Sequence, residues 1–165
     1  MDFRGLPHPP SADRNPVDRV ARAPMWNHGP VTEIDERVRR YLEDHDAAVM
    51  VTLREDGTPH VARVGVGLVD GDLWSSGTRT RVRTGHLRRD PRCTLCVLNP
   101  RDPQSWLGLE TRVTIHDGDD AVDRNLALYR ALAGEPDDLD EYRAAMVAEQ
   151  RLVYAFEILR AYGQY

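Results

Sequence analysis

Between residues 47 and 76 three strand patterns follow one another with only turns between them, and no helical pattern intervenes. Ala47-Ala-Val-Met-Val-Thr-Leu53 is an apolar, β-branched run of strand length. The turn 54–58, with Asp56-Gly57 at its tip, reads as a hairpin. The return run, 59–69, carries Gly65 and Gly67, which mark a bend or a close approach. Along it Val61, Arg63, Gly65, Gly67 and Val69 fall on one face, and His60, Ala62, Val64, Val66 and Leu68 on the other. Asp70-Gly-Asp72 turns the chain again into 73–76. Strands joined by such short turns pair antiparallel, because parallel neighbours need a long crossover. A doubly wound parallel sheet is therefore the weak alternative.

Further strand patterns lie at 93–98, at 105–115 and at 152–159, where Leu152, Tyr154, Phe156 and Ile158 share a face. Helical patterns cover 123–133 and 139–150. Another helix begins at Thr32, with Thr32 as its cap and Ile34, Val38, Tyr41 and Leu42 on one face. The sum is a mainly-β member of the α+β class. Its roughly six antiparallel strands close best as a barrel with peripheral helices over the open ends. The chain of 165 residues has room for one such core. Residues 1–30, with Pro7, Pro9, Pro10, Pro16 and Pro24 before Gly29-Pro30, read as an extended arm with Trp26 as a possible anchor, leaving 31–165 as the folded domain.

Charge narrows the function. A formal net charge of −5 argues against a general nucleic-acid binder, which needs a basic footprint. All 22 basic residues are Arg, a bias that suggests a GC-rich genome of the actinobacterial kind. No apolar run reaches the roughly 18–20 residues of a membrane span, and the first ten residues lack a signal-peptide core, so a cytoplasmic location is expected. Cys93 and Cys96 form a C-x-x-C on a strand pattern, where the odd spacing sends the two thiols to opposite faces. They read as two small thiols of a reducing compartment rather than as a redox or zinc pair.

The stretch 74–92 is where chemistry concentrates. It leaves a strand through Ser75, Ser76, Gly77 and Thr78 and then turns helical, with Thr78 or Thr80 available as cap. Arg79, Arg81 and Arg83 crowd the start of that helix, where the partial charge is already positive and acidic residues are the rule. A bound anion resolves the conflict, since free amides and forked guanidinium groups are what a phosphate needs. The competing readings are a solvated basic face, or ion pairs with the acidic run 135–141, which contribute only about 0–1 kcal/mol each when exposed. A glycine-bearing barrel strand beside such a helix suits a ligand with a phosphate tail and a flat ring. No G-x-S-x-G turn, H-E-x-x-H pair, Walker loop or G-x-G-x-x-G fingerprint competes with it, and no metal site is expected.

Three blocks carry a resemblance to a known family. They are Ala47-Ala-Val-Met-Val-Thr-Leu-Arg-Glu-Asp-Gly-Thr-Pro-His60, Asp72-Leu-Trp-Ser75, and Arg81-Val-Arg-Thr-Gly-His-Leu-Arg-Arg-Asp-Pro-Arg92. Leu128-Tyr-Arg130, Ala133-Gly-Glu135, Tyr142-Arg143 with Ala145-Met-Val147, and the terminal 154–163 strand agree in order. Together they resemble the pyridoxamine 5'-phosphate oxidase-like split β-barrel proteins, and among these the F420-dependent (deazaflavin) reductase branch. The likeness spans roughly 33–163.

The resemblance implies an FMN-binding-like split β-barrel, a homodimer with cofactor sites at the subunit interface, and coenzyme F420, with FMN as the alternative cofactor. It implies that Arg81, Arg83 and Thr84 hold the cofactor phosphate and that Ser76 and Gly77 run along the ribityl chain. His60, Val61 and Arg63 then lie near the ring, and Trp106 is supplied by the other subunit. The reaction implied is hydride transfer to a conjugated C=C of a small molecule, an enone or quinone-like compound. No catalytic acid is evident. Two departures stand out: Arg83 replaces a usual Lys, and Gly85-His86 replaces a common Arg-Asn. An FMN-dependent oxidase or reductase, and a non-catalytic flavin, deazaflavin or haem carrier, are the alternatives.

Overall fold

A computed structural model describes residues 35–165. The proline-rich arm 1–30 with Trp26, and the expected helix start at Thr32 and Ile34, lie outside the described residues. The first helix, α1, runs Glu36–Asp44 and is capped by Asp35, whose carboxylate accepts from the Arg37 amide. Asp35 therefore lies before the first turn, whereas a helix capped by Thr32 would hold it inside. Val38, Tyr41 and Leu42 are its buried stripe, as their spacing requires.

Seven strands, one more than the sequence suggested, form one antiparallel sheet: β1 (Ala47–Leu53), β2 (Pro59–Gly65), β3 (Gly67–Val69), β4 (Asp72–Thr78), β5 (Arg92–Leu98), β6 (Trp106–His116) and β7 (Arg151–Gln164). The extra strand arises because the run 59–69 breaks at Val66. The sheet order is β2-β1-β5-β6-β7-β4-β3, so the two edge strands are consecutive in sequence. A chain that leaves one edge at Gly65 and re-enters the opposite edge at Gly67 forces the sheet to curl on itself. The seam is tied twice. The Val66 amide donates to Asp46 O at 2.8 Å, and Ser75 Oγ donates to Gly65 O at 2.6 Å.

Inside the curl, Met50, Leu95, Val97, Leu107, Leu109, Leu152 and Tyr154 are fully enclosed. Leu152, Tyr154, Phe156 and Ile158 do share the inner face of β7. That strand runs on to Gln164, past its expected end, because β6 pairs with it along nearly its whole length. A second, smaller core of Val69, Trp74, Leu128 and Val153 lies beneath α3 (Ala121–Ala133) on the other side of the sheet. Helix α4 (Leu139–Ala148) is capped by Asp138 and ends two residues before the expected boundary. Cys93 is buried and Cys96 half-buried on opposite faces of β5, both free. Burial pushes the Cys93 thiol up to about 12 and raises that of Cys96, which keeps both out of the reactive thiolate form.

Candidate functional site

Helix α2 (Val82–Arg89) follows β4 after a three-residue turn and packs against β1 and β6, sending Thr84, His86 and Leu87 inward. Its N-cap is Arg81, without any side-chain capping bond. The expected caps act elsewhere: Thr78 is the last residue of β4, and its hydroxyl meets that of Thr80 at 3.3 Å. The turn closes instead through backbone, Arg81 N to Thr78 O and Thr84 N to Arg81 O. The amides of Val82 and Arg83 are left without a partner among the described residues, as the first amides of a helix are unless something caps them.

The arginines of 79–92 separate into two groups. Arg79 donates to Asp117 O and Arg88 to the Asp117 carboxylate at 2.6 Å, so both clamp the loop after β6. Arg89 donates to Leu53 O, and Arg92 pairs with Asp90, whose carboxyl is drawn down to about 2 by those hydrogen bonds. Arg81 and Arg83 have no hydrogen-bond or ion-pair partner among the described residues. None of the acidic groups in 135–141 reaches them, and Glu135 pairs with Arg130 instead. Arg83 is half-buried, its Nε wholly shielded and unpaired, with its guanidinium 5.9 Å from the Tyr154 ring centroid. A shielded donor of a fixed cation with nothing to donate to is a fit for an anion.

Thr84 contributes differently from expectation. It is fully buried; its hydroxyl donates to Thr78 O at 2.7 Å and meets Tyr154 OH at 2.6 Å, and its amide is taken by Arg81 O. A hydroxyl has one proton. In this arrangement Thr84 braces the turn and has no donor left for a phosphate. Gly77 lies on the same inner face, and a Cβ there would sit 2.5 Å from Tyr154 Cζ, so its bareness makes room for the tyrosine. Ser76, one residue away, faces the other side of β4, where its hydroxyl donates to Asn125 Oδ1 at 2.6 Å.

Helix α2 also reaches β2. The His86 ring stands edge-on to His60, and His86 Nδ1 lies 3.0 Å from Thr52 Oγ1. His60 thus points toward the helix, with its Nδ1 shielded and unpaired, while Val61 and Arg63 occupy the outer face of β2. Arg63 helps line an open hollow of about 340 Å³ with Asp46, Ala47, Val64 and Gly65. Trp106 opens β6 against Leu98 and Gln164, edge-on to Tyr162, whereas Ser76 and Gly77 pair with β7 at Val153 and Leu152, beside His116 at the other end of β6. Ten residues of strand, about 33 Å, separate Trp106 from that end. One chain therefore brings together Gly77, Arg81, Arg83 and Thr84, links His60 to them through His86, and leaves Ser76, Val61, Arg63 and Trp106 apart. Among the described residues no group of three or more His, Cys, Asp or Glu side chains could hold a metal, and no helix is long and apolar enough to cross a membrane.

A curled antiparallel sheet whose edge strands are sequence neighbours, with peripheral helices, defines a split-barrel protein. The chain belongs to the pyridoxamine 5'-phosphate oxidase family, a family of oxidoreductases, whose model matches residues 34–165. It is 27% identical over 137 residues to an F420H(2)-dependent biliverdin reductase of Mycobacterium tuberculosis, covering 80% of this chain and 89% of that protein. Its fold is similar to that of a conserved hypothetical protein of Mycobacterium tuberculosis (TM-score 0.67, 17% identity, 85% and 86% of the two chains). An F420 reductase structure is also similar (TM-score 0.60, 20% identity, 74% and 94%). The split-barrel fold and the resemblance to the F420 branch, both read from the sequence, are borne out.

Proposed function

We propose that this protein is an F420-dependent reductase acting on a conjugated C=C bond of a small molecule. The observation that carries the reading is the isolation of Arg81 and Arg83. Of the arginines between 79 and 92 they alone lack a hydrogen-bond or ion-pair partner among the described residues, and they stand beside two amides at the start of α2 that are likewise unpartnered among those residues. Those four groups suit the phosphate of F420, and the 27% identical reductase supports the deazaflavin over FMN. When bound, the deazaflavin supplies the hydride; the protein binds, orients and shields it. Arg81 and Arg83 would hold the phosphate, Gly77, Thr84 and Tyr154 would keep the turn beneath it rigid, and His60 would approach from β2 through its contact with His86.

On this reading the protein works as a homodimer. Its support is the outer face of the sheet, where Val61 is 62% and Leu98 42% exposed, with Val49, Val51 and Leu53 half-buried beside them. Val61, Arg63 and the partner's copy of the Trp106 end of β6 would then flank the cofactor ring across the interface. The second reading, an FMN enzyme, draws on the family description itself.

The test is anaerobic mixing of the protein with reduced F420 and a panel of conjugated acceptors that includes biliverdin, enones and quinones, following the return of oxidised F420 absorbance. Acceptor-dependent F420 oxidation supports the reading. Turnover with reduced FMN alone would replace it with the FMN reading.

A further inference from the structure

Tyr154 is the fourth residue of β7 and fully buried on the inner face of the sheet. Its hydroxyl reaches Thr84, seventy residues away in sequence, at 2.6 Å. The direction of that bond follows from proton counting. Thr84 has already committed its single hydroxyl proton to Thr78 O, so Tyr154 must donate and Thr84 Oγ1 must accept. The result is a directed chain, Tyr154 OH to Thr84 Oγ1 to Thr78 O, that fastens the first turn of α2 to the end of β4. Tyr154 also touches Arg83 and Gly77. Its ring lies under the Arg83 guanidinium, within the range of a cation–π contact, and fills the space over Gly77. Arg83 Nε is shielded and has no hydrogen-bond partner among the described residues, and the tyrosine ring lies beneath its guanidinium.

We propose that Tyr154 is a positioning residue of the anion site: through Thr84 and Arg83 it presets the turn at the start of α2 for the phosphate-bearing tail of the cofactor, without touching the cofactor itself. The inference rests on the proposed phosphate site and deepens it. Preorganisation of this kind removes ordering that binding would otherwise have to impose, and it acts only on ligands that use the turn.

The experiment compares two ligand pairs, FMN with riboflavin and F420 with its phosphate-free deazaflavin, by fluorescence titration of wild type, Tyr154→Phe, Thr84→Val and Thr84→Ser. Loss of one neutral hydrogen bond is worth roughly tenfold in affinity at most. Tyr154→Phe is expected to lower the preference for the phosphate-bearing member by about that factor while leaving affinity for the phosphate-free member unchanged. Thr84→Val is expected to do the same, Thr84→Ser to retain the wild-type preference, and the Tyr154→Phe/Thr84→Val double variant to lose no more than either single one. An unchanged preference in both Tyr154→Phe and Thr84→Val, whatever happens to the melting temperature, makes Tyr154 an ordinary core residue and overturns the inference alone. A wild type with no preference for phosphate-bearing ligands overturns the phosphate site as well.

Discussion

His86 stands edge-on to His60, with ring centroids 5.2 Å apart, and joins β2 to the helix whose start carries Arg81 and Arg83. Burial first, then the neighbouring His60 and the guanidinium groups of Arg89 and Arg54, lower the His86 pKa below the ordinary histidine value near 6.5. A histidine harder to protonate in the folded state leaves the unfolded chain binding more protons at acid pH. Stability is therefore level above the unfolded value and is lost as pH falls below about 6.5. Thermal melts should give a constant midpoint from pH 8 to 7 and a falling one between pH 6.5 and 5. In His86→Asn that fall should be smaller; an identical fall in the variant would remove His86 as its source.

Arg81→Ala and Arg83→Ala should each weaken F420 binding roughly 10- to 100-fold, the usual worth of a charge-assisted hydrogen bond. Arg81 is exposed and has no hydrogen-bond or ion-pair partner among the described residues, so its loss should move the melting temperature by no more than about 1–2 °C. Arg79→Ala should do the reverse, because Arg79 holds the Asp117 loop rather than the anion. Equal affinities in the Arg81 and Arg83 variants would remove the phosphate from this helix.

Gly77→Ala should be destabilising by about 1–3 kcal/mol, since its methyl would enter the Tyr154 ring and buried rings on a central strand yield little. Differential scanning calorimetry should register a drop of roughly 3–10 °C. A midpoint within a degree of wild type would show that β4 can shift away from Tyr154.

Ser75→Ala should loosen the barrel seam. The variant leaves Gly65 O without the 2.6 Å bond that ties β4 to β2, a loss of about 1–3 kcal/mol measurable by denaturant unfolding.

Light scattering behind size exclusion should report a dimer, and Val61→Asp or Leu98→Asp, each placing a charge on the apolar outer face, should yield monomers. Unaltered dimers in both variants would move the interface elsewhere.

What the sequence disclosed follows from which interactions are local. β1 matches its apolar run residue for residue, because a buried strand bounded by a hairpin turn declares itself. The Asp70-Gly71 turn, with φ of 52° and 92°, was equally legible. The break at Val66 was signalled only as two glycines, since what breaks the strand is closure of the sheet, a long-range event. The caps were misplaced for a related reason: Thr78 is held in β4 by pairing with Arg151, a partner 73 residues on. At the site, Arg81 and Arg83 were visible as charge against the helix dipole. Tyr154 was read only as a core position of its strand. Its bond to Thr84 spans seventy residues, and nothing in either local pattern points to the other. Ser75 was missed in the same way, its role at the seam being set by Gly65 across the barrel.

The central claim is that this chain holds a deazaflavin through the arginines at the start of α2. Its most direct test is fluorescence titration of the protein with F420 and, separately, with FMN. The account predicts micromolar or tighter binding of F420, weak binding of FMN, and a marked loss of the former in Arg83→Ala. Tight FMN with weak F420 would contradict the deazaflavin assignment, and binding of neither would leave Arg81 and Arg83 to a different anion.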